Sequence, residues 1–211
     1  MACPYGKTKD GFETQIGVNH LGWIFNLVST YFNFHLSFSI LKGHFLLTNL
    51  LLDILKRSAP SRIVNVSSLA HKNGRIRWDD LNWEKDYSAV AAYSQSKLAN
   101  VLFTIELANL LKGSNVTAVS LHPGVVNTEL VRNLHGCLGC LAKICLPCVL
   151  CCWKTPTEGA QTTIFCATSS DIPNLAGSYF SDSHVEQLSV KASNAEDAAR
   201  LWKLSAELVK L

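Results

Sequence analysis

Two short runs of apolar, β-branched residues indicate the first strands of the chain. Residues 62–66 and residues 116–121 are apolar runs that end at turn-forming residues, a pattern typical of buried strands. Between them, residues 89–112 contain no Gly or Pro and are rich in Ala, Leu and Ser, and Gly113 stands where a helix would end. A strand, a long helix and a second strand predict a βαβ unit, in which the strands are parallel and the crossover is right-handed.

The C-terminal third of the chain continues the alternation of helices and strands. The tetrapeptide Thr155-Pro-Thr-Glu158 predicts a helix start, with Thr155 as the N-cap and Glu158 completing a capping box, and this helix should extend to about Ser169. Residues 177–180 predict a last short strand, and Asn194 opens a terminal helix. The whole pattern predicts an α/β fold.

Residues 23–43 interrupt this pattern. Apolar residues at positions 32, 34, 36, 38 and 40 alternate with polar ones, which is the period of a strand, although the stretches on both sides have the pattern of a helix. The 19 residues from Trp23 to Leu41 approach the length of a membrane span, but seven Asn, Ser, Thr and His residues among them argue against a spanning helix. We interpret residues 23–43 as an insert, and a segment lying at a lipid surface is the alternative.

Composition and charge restrict the class of partner. With 211 residues, 48% of them hydrophobic and 17% charged, the chain predicts one globular domain over residues 1–211. The net charge of +3 is spread without a basic run, so a nucleic-acid surface is not expected and a small molecule is the expected partner. The N-terminus has no apolar run of the kind that a secretory signal requires.

Six of the eight cysteines crowd into residues 137–152, whereas a disulfide framework would spread them along the chain. We interpret them as reduced thiols. The pairs Cys137-x-x-Cys140 and Cys145-x-x-Cys148 have the spacing of a structural zinc site, but the gap between the pairs is much shorter than usual. No metal site is therefore predicted, and an apolar substrate entrance or membrane-facing segment is the preferred alternative.

Tyr93 and Lys97 are the first candidates for chemistry. They stand four residues apart on the predicted long helix, so their side chains should emerge on one face, one turn from each other. A nearby ammonium stabilises a phenolate and would lower the pKa of Tyr93, which would let it exchange a proton with an alcohol or carbonyl oxygen. Tyr5 and Lys9 have the same spacing in a segment without a helix or strand pattern, so spacing alone is not specific.

The context of Tyr93 and Lys97 adds the specificity that their spacing lacks. Ser67 and Ser68 follow the first strand, and Pro123-Gly124 follows the second. The carboxyl ends of parallel strands are where open α/β sheets bind ligands, so these polar features should meet the helix face at one edge of the sheet.

Four motifs in this order carry a resemblance to a known family. They are Asn19-His-Leu-Gly22, Ile63-Val-Asn-Val-Ser-Ser68, Tyr93-Ser-Gln-Ser-Lys97 and His122-Pro-Gly-Val125. The chain resembles the short-chain dehydrogenase/reductases. The sequence at residues 10–13, 96–103 and 177–180 resembles the vertebrate microsomal retinol dehydrogenase branch of that family. The resemblance covers nearly the whole chain outside residues 23–43, and it implies a Rossmann-like, doubly wound parallel sheet.

The resemblance implies a role for each matching residue. Tyr93 would be the general acid/base, and Lys97 would modulate its pKa and donate hydrogen bonds to the nicotinamide ribose. Ser68 would orient the substrate oxygen, and Asn19 would hold the water that links Lys97 to solvent. The nicotinamide end of the cofactor would be lined by Pro123, Gly124, Val125 and Thr128.

Two departures from the family's pattern accompany these matches. The family's glycine-rich turn, which receives the pyrophosphate at a helix N-terminus, does not occur in the sequence. By that comparison the first βαβ half of the sheet and the family's N-terminal membrane anchor are missing, so the sheet should be incomplete and the cofactor weakly held. Removing residues 23–43 would rejoin Asn19-His-Leu-Gly22 to His44 in one continuous helix of the family's kind. We therefore interpret the chain with its insert as an alternatively spliced or mispredicted product.

The resemblance also implies partners and a location. It favours NADP(H) over NAD(H), a retinoid or another lipid aldehyde or alcohol as the substrate, and the cytosolic side of the endoplasmic reticulum membrane. Association with a membrane surface and formation of a homodimer or heterodimer are left open. The alternative function is that of an inactive isoform that acts by dimerising with a full-length relative through the helices that carry Asn19, Tyr93 and Lys97.

Overall fold

A four-stranded sheet organises the described part of the chain, which in this computed structural model comprises residues 3–21, 44–126 and 153–211. The strands follow one another across the sheet in the order of the sequence. They are β1 (Ser61–Val66), β2 (Val116–His122), β3 (Tyr179–Ser181) and β4 (His184–Val185). The first three are parallel, and β4 returns antiparallel to β3. The predicted parallel pair is therefore confirmed.

Helices cover both faces of this sheet. They are α1 (Thr14–Ile16), which continues as a π-helix (Gly17–Leu21), α2 (His44–Arg57), α3 (Ala89–Leu110), α4 (Pro156–Thr168) and α5 (Ala195–Val209). Two 3₁₀ segments span Leu69–Asn73 and Ile172–Leu175. The capping box predicted at Thr155 and Glu158 is present, and Asn194 caps α5 as predicted.

Two hydrophobic clusters explain why the sheet is buried on both faces. The larger cluster includes Ile63 and Ala118 and packs under α2, α3 and α5, while the smaller one includes Val119 and Phe180 and packs under α4. Every residue of β2 is buried, as expected for a central parallel strand. This arrangement confirms the doubly wound α/β architecture, with fewer strands than a complete Rossmann-like sheet.

The two helical pieces on either side of residues 23–43 lie against each other. The ring Nδ1 of His44 and the backbone carbonyl of Asn19 are 2.7 Å apart, although the residues are 25 positions apart in sequence. The π-helix and α2 are thus neighbours in space. Residues 22–43 and 127–152 lie outside the described residues, and so do the insert, the cysteine cluster and Thr128.

Among the described residues, no helix is both long enough and apolar enough to cross a membrane. That residues 1–211 form one domain stays a prediction.

Candidate active site

Ser68 stands at the carboxyl end of β1, where the chain turns into a 3₁₀ segment. Its side-chain oxygen accepts a hydrogen bond from the Ala70 amide at 3.2 Å, and its carbonyl oxygen lies 2.7 Å from the Nδ1 of His71. The neighbouring Ser67 points the other way, because its hydroxyl donates to the backbone carbonyl of Lys97 at 2.7 Å. Ser67 therefore ties β1 to α3, and Ser68 is the serine that faces the site.

Tyr93 lies on α3 beside Ser68, and only 6% of its surface is exposed. Burial raises the pKa of Tyr93, while a hydrogen bond with the Ser68 side chain acts in the opposite direction. The sequence-based expectation of a lowered Tyr93 pKa is therefore wrong for this structure, because desolvation of the phenolate outweighs the favourable contacts. At neutral pH Tyr93 is a phenol that holds its proton.

Lys97 follows Tyr93 by one helical turn, as its spacing predicted. Its ammonium nitrogen lies 5.7 Å from the centre of the Tyr93 ring and 3.3 Å from the backbone carbonyl of Val66, to which it donates. Burial lowers the pKa of Lys97 to about 8. An ammonium has three hydrogen-bond donors. In the described part of the chain the Val66 carbonyl takes one of them and no carboxylate pairs with Lys97, so two donors remain for a ligand.

Asn19 is held behind Tyr93 and Lys97 by its side chain. Its Nδ2 donates to the Ser96 hydroxyl at 2.8 Å, and that hydroxyl donates to the backbone carbonyl of Tyr93 at 2.7 Å. Asn19 lies within the π-helix, a distortion that frequently marks functional sites. Its backbone carbonyl accepts from His44, whose pKa is lowered by burial. Both the side chain and the backbone carbonyl of Asn19 are therefore engaged in hydrogen bonds within the protein.

The Pro123-Gly124 turn follows β2, next to the end of β1 that bears Ser68. Gly124 has φ +86, a backbone conformation that favours glycine, and the side chain of Lys154 lies where a Cβ would be, 2.8 Å away at its Cδ. Val125 is 51% exposed, and its backbone carbonyl accepts from the Lys154 amide at 2.8 Å. The turn is therefore fixed from one side by the chain that enters α4.

An open cleft of about 500 Å³ extends from this turn along the ends of β2, β3 and β4. Ion pairs border the cleft. The Lys154 ammonium pairs with the Asp182 carboxylate, and the Lys72 ammonium lies 2.5 Å from a carboxylate oxygen of Glu186. Its lining residues are Leu69, His122, Gly124, Val125, Lys154, Ser181, Asp182, His184, Val185 and Glu186. Gly124 and Val125, two of the residues predicted to line a cofactor, thus border the cleft.

The structure brings together most of the residues singled out from the sequence, and it adds others. Ser68, Tyr93 and Lys97 converge, and Asn19 supports them from behind. Sequence reasoning missed His44, because its contact with Asn19 crosses the insert. It missed Lys154, because its ion-pair partner Asp182 is 28 residues away in sequence. No group of three or more metal-ligating side chains occurs among residues 3–21, 44–126 and 153–211.

The Lys97→Met substitution should stabilise the protein, and the gain should depend on pH. The folded-state pKa of about 8 lies below the ordinary value of 10.5, so the unfolded state binds the proton more tightly. Below pH 8 the buried ammonium lowers the free energy of unfolding by its full amount. This loss becomes smaller as the pH rises from 8 toward 10.5. Urea unfolding at pH 7 and pH 10 should show a higher free energy of unfolding for Lys97→Met, with the larger difference at pH 7.

The control for this measurement is Lys112→Met, at an exposed lysine just after α3. This control should change stability little at either pH. A difference between Lys97→Met and the unsubstituted protein that stays constant from pH 7 to pH 10 would show that burial does not penalise the Lys97 ammonium.

Comparisons with known proteins identify relatives of the chain. The family model described as short chain dehydrogenase matches residues 38–136. The chain is 49% identical over 213 residues to human retinol dehydrogenase 11 and 50% identical over 210 residues to human retinol dehydrogenase 12, and it is covered to 100% and 99% in these matches. It spans 58% of the length of each of these two relatives.

A solved structure is also similar over the whole chain. The crystal structure of an uncharacterized protein from Mycobacterium Paratuberculosis matches with a TM-score of 0.67 and 36% sequence identity, and the match covers 100% of this chain and 63% of that one.

Proposed function

Because the chain belongs to the short-chain dehydrogenase/reductase family, we propose that it is an oxidoreductase of the retinol dehydrogenase type. It interconverts retinal and retinol, or related lipid aldehydes and alcohols, by hydride transfer with NADP(H). The observation that carries the proposal is the meeting of Ser68, Tyr93 and Lys97 at the carboxyl end of β1. The names of the relatives support the retinoid substrate, and the location at the endoplasmic reticulum follows from the same resemblance.

The residues present fit the nicotinamide end of such a cofactor. Lys97 has two donors free for a ribose diol, and its ammonium is desolvated, so each hydrogen bond to it would be strong. Gly124 and Val125 border the open cleft, so this side of the turn faces space that the nicotinamide ring could enter. When bound, the nicotinamide would supply or accept the hydride.

The protein's own part in the reaction is to hold and move a proton. In reduction, the Tyr93 hydroxyl gives its proton to the substrate oxygen as negative charge develops there, and the raised pKa keeps that proton in place beforehand. The Ser68 hydroxyl accepts from the Ala70 amide, so its own hydrogen can be donated to the same oxygen. Lys97 then stabilises the phenolate that remains on Tyr93.

This division of roles favours the direction of carbonyl reduction at neutral pH. A phenol with a raised pKa is ready to donate a proton, whereas oxidation of an alcohol would need Tyr93 to begin as a phenolate. NADP(H) is the cofactor that the resemblance favours, and its reduced form would serve this direction.

The second candidate function is pairing with an intact relative. On α2 the side chains of Leu50, Leu51 and Ile54 are exposed at 59%, 37% and 52%. An apolar row on one helix face is a surface that a second chain could bury. In this alternative the chain alters a partner and performs no turnover of its own.

The test is binding of NADPH to the purified chain by calorimetry, followed by reduction of retinal monitored at the NADPH absorbance. A micromolar dissociation constant with turnover would support the oxidoreductase. Absence of NADPH binding at millimolar cofactor would contradict it. If the chain then co-elutes with human retinol dehydrogenase 11 in gel filtration, the pairing function is favoured, and separate elution at micromolar protein would count against that function as well.

A further inference from the structure

His122 is the last residue of β2, and its ring bridges two elements of the site. Its Nδ1 accepts a hydrogen bond from the Gly124 amide at 3.0 Å, and its Nε2 lies 2.9 Å from the hydroxyl of Ser181 on β3. His122 and Ser181 are also partners in the register of the two strands. One imidazole therefore connects the Pro123-Gly124 turn to the neighbouring strand.

These two contacts fix the tautomer of the ring. An amide N–H only donates, so Nδ1 must offer a lone pair and carries no hydrogen. The single proton of the neutral ring is then on Nε2, from which it is donated to the Ser181 oxygen. The doubly protonated ring has no lone pair, so it would lose the bond from Gly124.

We propose that His122, as the neutral Nε2–H tautomer, is a positioning residue that locks the Pro123-Gly124 turn to β3, and that protonation at Nδ1 releases the turn. The inference rests on the proposed function, in which this turn lines the nicotinamide end of the cofactor. The locked turn presents the Gly124 backbone in one fixed place. In the released turn, the hydrogen bond from the Lys154 amide to the Val125 carbonyl remains, and the bond from the Gly124 amide to His122 is lost.

The hydrogen bond from the Gly124 amide matters because this turn is only half-buried and borders the open cleft. Gly124 adopts φ +86 with the Lys154 chain pressed against it. Without His122 as its acceptor, the half-buried Gly124 amide would lose the hydrogen bond that fixes its direction. The ring of Tyr179 stacks on His122 at 6.2 Å between centroids and an angle of 15°, which holds the imidazole in the plane that both hydrogen bonds require.

The charged surroundings of His122 set the pH range of the lock. Burial is the largest influence and lowers the pKa of His122 below its ordinary value of 6.5, and Lys154 and His71 act in the same direction. Glu186 and Asp182 oppose them, but these carboxylates pair with Lys72 and Lys154. The ring is therefore neutral at pH 7, and the lock opens only as the pH falls below 6.5.

Two substitutions separate the two ring nitrogens. In His122→Asn the side-chain oxygen can take the place of Nδ1 and accept from Gly124, and it does not titrate. In His122→Gln the longer amide reaches the place of Nε2 and Ser181, but leaves the Gly124 amide without an acceptor. The two variants match in polarity, and each keeps one of the two ring contacts: His122→Asn keeps the bond from Gly124, and His122→Gln keeps the contact with Ser181.

The experiment combines ¹⁵N nuclear magnetic resonance with NADPH titration. In the unsubstituted protein at pH 7.5 the His122 ring should show the Nε2–H tautomer, and the Gly124 amide should be protected from exchange. Protection should persist in His122→Asn and disappear in His122→Gln. The NADPH dissociation constant should rise roughly fivefold in His122→Gln, in keeping with one lost hydrogen bond. In the unsubstituted protein the dissociation constant should rise likewise as the pH falls through the lowered His122 pKa, and in His122→Asn it should stay nearly constant over the same pH range.

The outcomes distinguish the lock from the proposed function. The lock would be overturned by an Nδ1–H tautomer of His122, or by equal protection of the Gly124 amide in both variants. The tautomer is measured in the unsubstituted protein, so this test holds even if a variant does not fold. An NADPH affinity that is equal in both variants would overturn the positioning role. The expected tautomer and protection in a chain that binds no NADPH would support the lock and contradict the oxidoreductase.

Discussion

The Tyr93→Phe substitution should slow the reduction of retinal by about 10²- to 10⁴-fold, the range expected when a general acid is removed. The substitution deletes one hydroxyl group and keeps the ring that packs at 6% exposure between Ser68 and Lys97. The developing charge on the substrate oxygen would then have the Ser68 hydroxyl as its remaining donor from this group of side chains. Steady-state kinetics at saturating NADPH should show the loss in kcat more than in KM, because the proton is transferred in the transition state.

Tyr5→Phe is the matched control for this measurement. Tyr5 stands four residues before Lys9, as Tyr93 does before Lys97, but residues 5–9 form no helix and Tyr5 is exposed. The control should leave kcat within about twofold, since surface substitutions change little. If Tyr93→Phe kept a kcat within tenfold of the unsubstituted chain while folding normally, Tyr93 would not be the proton donor.

The regular elements could be predicted from the sequence because their signals are local. The strands β1 and β2 and the helix α3 begin and end within two residues of the predicted positions, since buried β-branched runs and the absence of Gly and Pro act over a few residues. The cap at Thr155 was predictable for the same reason.

The finer properties of the site depend on tertiary packing, which spacing does not encode. The four-residue interval correctly placed Lys97 one turn from Tyr93, but it gave no measure of burial, and burial reverses the direction of the Tyr93 pKa shift. The π-helix at Asn19 depends on a bond to Ser96, 77 residues away. The lock at His122 needs Ser181 on another strand, so no pattern near His122 could have shown it.

The side chain of Phe103 connects the helices that support the site. It is 1% exposed and packs on Phe45 of α2 at 5.4 Å between ring centroids, on Trp202 of α5 at 5.6 Å and on His20 of the π-helix at 5.8 Å. His20 is fully buried, its pKa is lowered to about 3 by desolvation, and its Nε2 lies 3.1 Å from the Ser205 hydroxyl. The π-helix that carries Asn19 is thus held by a neutral imidazole inside an aromatic cluster.

Removing this ring should therefore have the largest effect on stability. Phe103→Ala should lower the free energy of unfolding by about 3–5 kcal/mol, because the cavity lies where four helical elements meet and none of them can close it alone. Urea unfolding followed by circular dichroism measures the loss. Phe165→Ala, at a half-buried ring under the opposite face of the sheet, should cost less because that side chain is already partly in solvent. An equal loss in both variants would show that the cluster around Phe103 is no more tightly packed than the edge of α4. A larger loss at Phe103 would show that the aromatic cluster, which includes His20 of the π-helix, contributes more to the stability of the protein than the edge of α4 does.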